Sequence, residues 1–273
     1  MTRALFGFGD GPLARQQRRA LTAAPRRVRA IAFEKFSAEQ YAPEAVALAR
    51  DQYGALALGE RSAIGLFARI AAALDANDAP SEFVLAATAA SHDEARHARY
   101  CEELAVRCGF DPTSSVERAA PEPEPRTRLE LDVALVRSVA VSETLAAALL
   151  MACRRVATDP VVRALLTTLI GDEIHHARLG WYYAAARQAS WSVAERQQIA
   201  DAVAEAIVQI EYEFGQGRDT THECYQSAHA LGILDTERQR ACIRDVVEHE
   251  LLPGLDALGL GASAAWANRR RLE

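Results

Sequence analysis

The six residues Asp93-Glu94-Ala95-Arg96-His97-Ala98 recur as Asp172-Glu173-Ile174-His175-His176-Ala177, so the chain carries Asp-Glu-x-x-His-Ala twice. Residues three apart on a helix lie on one face, about one turn apart. Glu94 with His97, and Glu173 with His176, can therefore each offer an oxygen and a nitrogen to one point, which is the geometry of a metal-ligand pair. A single such pair is also found on ordinary solvated helix faces. Two of them, each preceded by Asp and followed by Ala in a chain with seven histidines, are not a product of composition. The repeat calls for a fold that brings two helix faces to one centre.

The rest of the chain is written for helices. Ala, Leu and Arg dominate, and Gly and Pro are sparse outside a few stretches, which favours helix almost throughout and an all-α fold. With half of its 273 residues apolar, the chain can bury a substantial core. A single domain is expected over residues 39–273, behind a basic N-terminal arm, 1–38. In the arm, Gly9 to Pro12 precede Arg15, Arg18, Arg19, Arg26, Arg27 and Arg29. It reads as irregular with room for one short helix, a strap on the domain or on a sister subunit.

A first core helix is expected from about Pro43 to Asp75, with Tyr53, Leu56, Glu60, Ala63, Ile64 and Phe67 at three- and four-residue intervals. Asn77 to Ser81 form a turn, and a second helix runs from Pro80 to about Cys108 with the first motif on it. Gly109 to Arg128, holding Pro112, Pro121, Pro123 and Pro125, reads as a long crossover between helices two and three. The third helix, about Leu129 to Ala157, shows the stripe Val136, Val139, Ala140, Glu143, Ala147 and Leu150. Asp159 as N-cap and Pro160 open the fourth, whose stripe is Val162, Leu166, Leu169, Glu173, His176 and Gly180. Additional helices are expected over about 192–258, from Ser192 to Gly215 and from Asp235 to Leu252.

Glu60 and Glu143 each interrupt an apolar stripe, and a carboxylate on a buried face is costly unless it is paired or binds a metal. From Glu60 there are about 17 residues to the turn and about 13 down to Glu94, so at about 1.5 Å of rise per residue the two are nearly level. Glu143 and Glu173 are level by the same arithmetic, about 15 residues up and about 14 back. Two antiparallel hairpins thus place four Glu and two His around one centre. His222, His229 and His249 have no acidic partner at ligand spacing on their own helices and read as ordinary histidines.

Charge and cysteine usage narrow the class. A formal charge of −6 argues against a nucleic-acid binder. Five cysteines form no Cys-x-x-Cys pair, which fits reduced thiols in the cytoplasm. The N-terminal arginines are followed by no apolar signal core, and no uninterrupted apolar run approaches membrane-span length, so neither export nor a membrane anchor is expected.

The set Glu60, Glu94-x-x-His97, Glu143 and Glu173-x-x-His176 resembles the ferritin-like di-iron carboxylate superfamily over about residues 42–185. The wording "GERSAIGLFARI", "SHDEARHARYC", "VSETLAAALL" and "DPVVRALLTTLIGDEIHHARLGW" is most similar to stand-alone bacterial ferritin-like domain proteins. The resemblance implies a four-helix bundle with the long crossover between helices two and three, plus extra C-terminal helices. It implies that Glu94 and Glu173 bridge two metals. Glu60 and His97 would be terminal on one metal, Glu143 and His176 on the other. Asp93 and Asp172 would each accept the second N–H of the opposite motif's imidazole.

Carboxylates with one imidazole per metal suit two iron ions, with manganese or mixed manganese and iron as variants. The expected function is a non-haem di-iron oxygenase or oxidase that uses O2 to oxidise a small organic substrate. A ferroxidase, peroxidase or iron-handling protein is the alternative. An external electron donor and a homodimer are compatible with either. The position four residues after the second-helix His, a tyrosine in radical-storing ribonucleotide reductase subunits, is Cys101 here, as in the methane monooxygenase hydroxylase. Leu169 stands where the p-aminobenzoate N-oxygenase family has a third His. Ala63, Ala90, Ala140 and Ala147 are small residues near the centre that would leave room for an apolar substrate.

Overall fold

Pro43 starts the first long helix, α2 (Pro43–Ala76), because its fixed φ and missing N–H suit a first turn. The helix ends at Asn77, whose side-chain amide donates to the Ala73 carbonyl at 2.8 Å. Asp78 then takes φ 51°, a left-handed conformation that Asp tolerates better than most residues. The chain turns back into α3 (Ser81–Arg107), which packs along α2 with the Ser91 hydroxyl donating to the Ile64 carbonyl at 2.9 Å. The computed structural model describes residues 9–22, 30–113, 123–215 and 222–267. Part of the proline-rich crossover therefore lies outside the described residues, as do Arg26, Arg27 and Arg29 of the arm.

After the crossover, Thr127 and Glu130 form a reciprocal capping box, which satisfies two of the donors that a helix start leaves free. One continuous helix follows in three parts: α4 (Arg128–Ala134), a π segment (Leu135–Val141) and α5 (Ser142–Val156). Asp159 then caps α6 (Pro160–Arg187), accepting from the Val161 and Val162 N–H groups at 2.8 and 2.9 Å, a device worth about 0.5–2 kcal/mol. Its other oxygen accepts from the Tyr41 hydroxyl at 2.7 Å. Every regular element among the described residues is helical, in agreement with the all-α expectation, and the four core helices lie where periodicity placed them to within a residue or two at each end.

In the arm the one short helix it had room for is α1 (Pro12–Thr22), seated on α3 through buried Leu13 and Ala14 as the strap reading expects. The Gly9 N–H donates to both oxygens of buried Glu82. Beyond α6 come α7 (Val193–Gly215) and a short α8 (His222–His229). The helix expected from Asp235 to Leu252 is α9 (Thr236–Val246), a second π segment (Val247–Leu251) and α10 (Leu252–Ala257). Pro253 falls in the first turn of α10, where it is tolerated, and does not end the element. A last helix, α11 (Ala262–Ala267), lies beyond the predicted limit.

Three apolar clusters organise the packing. One joins Tyr53, Cys101, Leu104, Leu166 and Leu169 at one end of the core helices. A second joins Phe67, Ile70, Phe83, Leu135, Leu179 and Tyr183 at the other. The third packs α7, α9 and α10 onto the outer face of the α4–α5 helix through Val141, Leu145, Ile199, Ile207, Val246 and Leu255. That helix, Arg128–Val156, is the one among the described residues long and apolar enough to cross a membrane by length and composition, with mean hydropathy 1.7 over its most apolar window. Most of the window, 61%, is buried inside the protein, so its apolar character is used in the core.

The α4–α5 helix is tightly packed on α6 in the π segment. A Cβ built on Gly180 would sit 2.3 Å from the Ala140 nitrogen, far inside van der Waals contact. Position 180 is thus glycine because α6 packs there on the backbone of Val139 and Ala140. Gly180→Ala is expected to force α6 away from the π segment and cost about 1–3 kcal/mol, the range for overpacked cores. Urea unfolding followed by circular dichroism measures it, and an unchanged midpoint would contradict the contact.

Candidate metal centre

Between the first two apolar clusters the four core helices contribute a single polar layer. Along α2, Glu60 lies between Ala57 and Phe67; along α3, Glu94 and His97 lie between Ala90 and Cys101; along α5, Glu143 precedes Leu150; along α6, Glu173 and His176 lie between Leu169 and Leu179. Glu94, His97, Glu173 and His176 are at most 3% exposed, Glu143 is 8%, and the Glu60 side chain is 13%. The structure brings all six together. They form two groups whose ligand atoms lie within 4.8 Å of one another: Glu60, Glu94, His97 and Glu173, and Glu94, Glu143, Glu173 and His176. Glu94 and Glu173 are common to both groups, the geometry of two bridges.

The imidazoles face the layer with Nδ1. His97 Nδ1 is 3.0 Å from Glu173 Oε1, 3.6 Å from Glu94 and 3.8 Å from Glu60. His176 Nδ1 is 2.9 Å from Glu94 Oε1 and 3.1 Å from Glu173 Oε2. Each Nε2 faces the aspartate of the opposite motif, but only one is bonded: His97 Nε2 to Asp172 at 3.1 Å, whereas His176 Nε2 lies 3.5 Å from Asp93 with no partner in hydrogen-bonding geometry, and its Nδ1 bonds Glu173. An Nε2–H donated to an aspartate leaves a lone pair on Nδ1.

Lone pairs then face lone pairs, and this tests whether a metal fits. Neither oxygen of Glu94 nor His97 Nδ1 has a partner in hydrogen-bonding geometry, although all are buried. Buried polar atoms without partners are costly. Electrostatics give the same sign. Burial, then the proximity of Glu94 and other carboxylates, holds the Glu60 carboxyl well above its usual range. Burial and Glu173 do the same to Glu143. Burial also pushes Glu94 up, but the imidazoles of His176 and His97 close beside it outweigh burial and hold that carboxyl down to about 2. The layer demands positive charge, as protons or as cations. Its donor set, oxygen-rich with one imidazole per group, fits ferrous or manganous ions.

Arg96 is the residue that sequence reasoning passed over. Its Nη2 donates to Asp93 at 2.7 Å and to Asp172 at 2.8 Å, so one guanidinium joins the two aspartates that stand behind the imidazoles. The signal was present in the spacing, since Asp93 and Arg96 are three apart on α3. The corresponding residue of the second copy, His175, turns outward and bonds the Gly171 carbonyl. Phe67 lies over the His176 ring at 5.1 Å between centroids, and Cys101 is a buried thiol on the opposite side of the layer, pushed up by burial and by Glu60.

The remaining histidines play other parts. His249 is bonded to Asp245, four residues earlier and exposed, an acidic partner at ordinary i, i+4 helical spacing that the sequence reading overlooked. His229 lies against Arg238 and Asp235, and the side chain of His222 is outside the described residues. Cys101, Cys108, Cys153 and Cys242 are free thiols.

Glu94→Ala and Glu173→Ala are expected to abolish both metal positions, and Glu60→Ala and Glu143→Ala one each, by metal analysis after anaerobic ferrous loading. Asp172→Asn should weaken retention about 10–100-fold through a misoriented His97, and His175→Ala should leave it unchanged. Because protons compete for the same lone pairs, metal should be released as pH falls, the raised Glu60 and Glu143 carboxyls taking protons before Glu94. Release on raising the pH would contradict the donor set. Family models, curated proteins and solved structures give no match to this chain, so the functional reading rests on this geometry.

Proposed function

We propose that the core helices form a ferritin-like four-helix bundle holding two iron ions, and that the protein is a di-iron oxygenase or oxidase acting on a small organic substrate. The observation that carries this reading is the pair of four-residue groups sharing Glu94 and Glu173, buried between two apolar clusters. Glu60 and His97 would hold one ion and Glu143 and His176 the other, with Glu94 and Glu173 within reach of both. Ferrous ions held there would supply the electrons that O2 chemistry needs.

The chain's own residues do the rest. Asp172 fixes the His97 imidazole in the tautomer that presents Nδ1, Asp93 stands 3.5 Å behind His176 Nε2, and Arg96 keeps the two aspartates in register. Phe67 on one side, and Cys101 with Leu169 on the other, keep water from the layer. Exclusion of water lowers the local dielectric and protects reactive species from side reactions. Free thiols throughout the described cysteines suit a reducing cytoplasm.

The test is a stopped-flow reaction of the anaerobically loaded ferrous protein with O2, with and without candidate organic substrates. An oxygenase or oxidase is expected to consume O2 in proportion to substrate and yield an oxidised organic product. Rapid multiple turnovers of added ferrous iron with no dependence on organic substrate would assign the protein as a ferroxidase instead.

A further inference from the structure

Glu60, Glu94 and Glu173 lie deep inside unbroken α-helices, so the i to i−4 bonds on both sides fix the direction in which each one faces. Glu143 is different. It is the second residue of α5, directly after the π segment Leu135–Val141. A π turn takes in one residue more than an α turn, and one residue of register turns a side chain by about 100° around the helix axis. Were the segment to relax into α-helix, Glu143 would be turned out of the layer. Its direction therefore depends on whatever holds the π segment in place.

Upstream, the helix is anchored by Asp132, fully buried, which accepts from the Tyr183 hydroxyl at 2.7 Å, the Trp191 indole N–H at 2.9 Å, and Arg187 at 3.1 and 3.0 Å. The middle of the segment rests on Gly180. The downstream end is tied by the two hydroxyl residues that flank Glu143. Ser142 sends both its backbone N–H and its hydroxyl, the latter at 3.2 Å, to the Arg137 carbonyl five residues back, which is the π-type bond itself. The Thr144 hydroxyl donates to the Ala140 carbonyl at 2.6 Å and accepts from the Trp181 indole N–H of α6 at 3.0 Å. An indole N–H can only donate and a threonine hydroxyl has one proton, so the chain of bonds runs one way, from Trp181 through Thr144 to Ala140. The indole is backed by α10, since a Cβ built on Gly254 would lie 2.9 Å from its ring. Trp181 is thus seated between α10 and the residue next to Glu143.

We infer that Trp181 is a positioning residue for Glu143. Through the Thr144 hydroxyl, its N–H fixes the end of the π segment, and with it the register in which α5 presents Glu143 to the group Glu94, Glu143, Glu173 and His176. The inference rests on the proposed metal-binding role of that group. Glu60 and His97 come from α2 and α3, which contain no π segment, so loss of the tether acts on one of the two metal positions.

Three variants of the full chain test this. Thr144→Val keeps the side-chain shape and removes the hydroxyl, Trp181→Phe keeps a ring and removes the N–H, and Thr144→Ser keeps the bond. Circular dichroism checks that each is folded. In a titration with manganous ion, Thr144→Val and Trp181→Phe are expected to weaken one of the two positions about 10-fold and leave the other unchanged. Thr144→Ser should behave as wild type, and the double variant should be no worse than Thr144→Val, because the same bond is removed. Hydrogen exchange of the metal-free chain gives a second readout: it should rise about 2–10-fold over residues 135–147 alone, the scale of one hydrogen bond. Both positions unchanged, both weakened together, or exchange that rises along the whole chain would overturn the inference. If the wild type takes up no metal, the proposed function fails, and exchange decides the tether by itself. A rise confined to that stretch in Thr144→Val and Trp181→Phe, and absent in Thr144→Ser, supports it; no rise, or a rise throughout, overturns it.

Discussion

Four carboxylates and two imidazoles lie in one buried layer, and the rest of the structure depends on how that layer is made tolerable. Ionised groups removed from water cost several kcal/mol each unless they are compensated. The apolar clusters above and below the layer make the compensation obligatory, because they exclude the water that would otherwise solvate Glu94 and Glu173. The opposed directions of the carboxyl groups, Glu60 and Glu143 upward and Glu94 downward, describe one assembly short of positive charge. Two divalent cations would supply it at the points where the orphaned atoms meet.

The seam between α3 and α6 sets the orientation of that layer. His97 is held from behind by Asp172 of the other motif and Asp93 stands 3.5 Å behind His176, so neither motif is complete alone. Arg96 makes the exchange rigid by bonding both aspartates through one nitrogen. The two copies are not equivalent, since the residue matching Arg96 is an outward-facing His175. On the other side of α6, Gly180 allows contact with the π segment that leads into Glu143. An extra residue in a helical turn rotates the downstream residues about the axis, so the π segment and the placement of Glu143 are coupled.

The helices beyond the core have a packing role that the sequence left undefined. The α4–α5 helix is apolar on its outer face as well as its inner one, and α7, α9 and α10 cover that outer face. Without them a long apolar stripe would meet solvent. The N-terminal helix α1 does a smaller version of the same work on α3, where Leu13 and Ala14 are buried and Glu82 is satisfied by the Gly9 N–H.

The sequence by itself determined the helices, their approximate ends and the six residues that meet. Period, capping by Asp159 and the turn around Asn77 are local, and helix lengths that match to within about one turn on either side of each hairpin put the four glutamates near one height. The two Asp-Glu-x-x-His copies could be read because i and i+3 share a face whatever surrounds them. Other features were decided by tertiary structure. The π segment at Leu135–Val141 follows no local pattern and coincides with the contact between Ala140 and Gly180. Arg96 could be seen beside Asp93, but only the packing of α3 on α6 brought Asp172 within reach of the same nitrogen. Asp132, Tyr183 and Trp191 come from separate stretches and converge because α6 ends beside α4. Spacing along a helix is fixed by its hydrogen bonds, whereas the partner across a seam is fixed by which faces must leave water together.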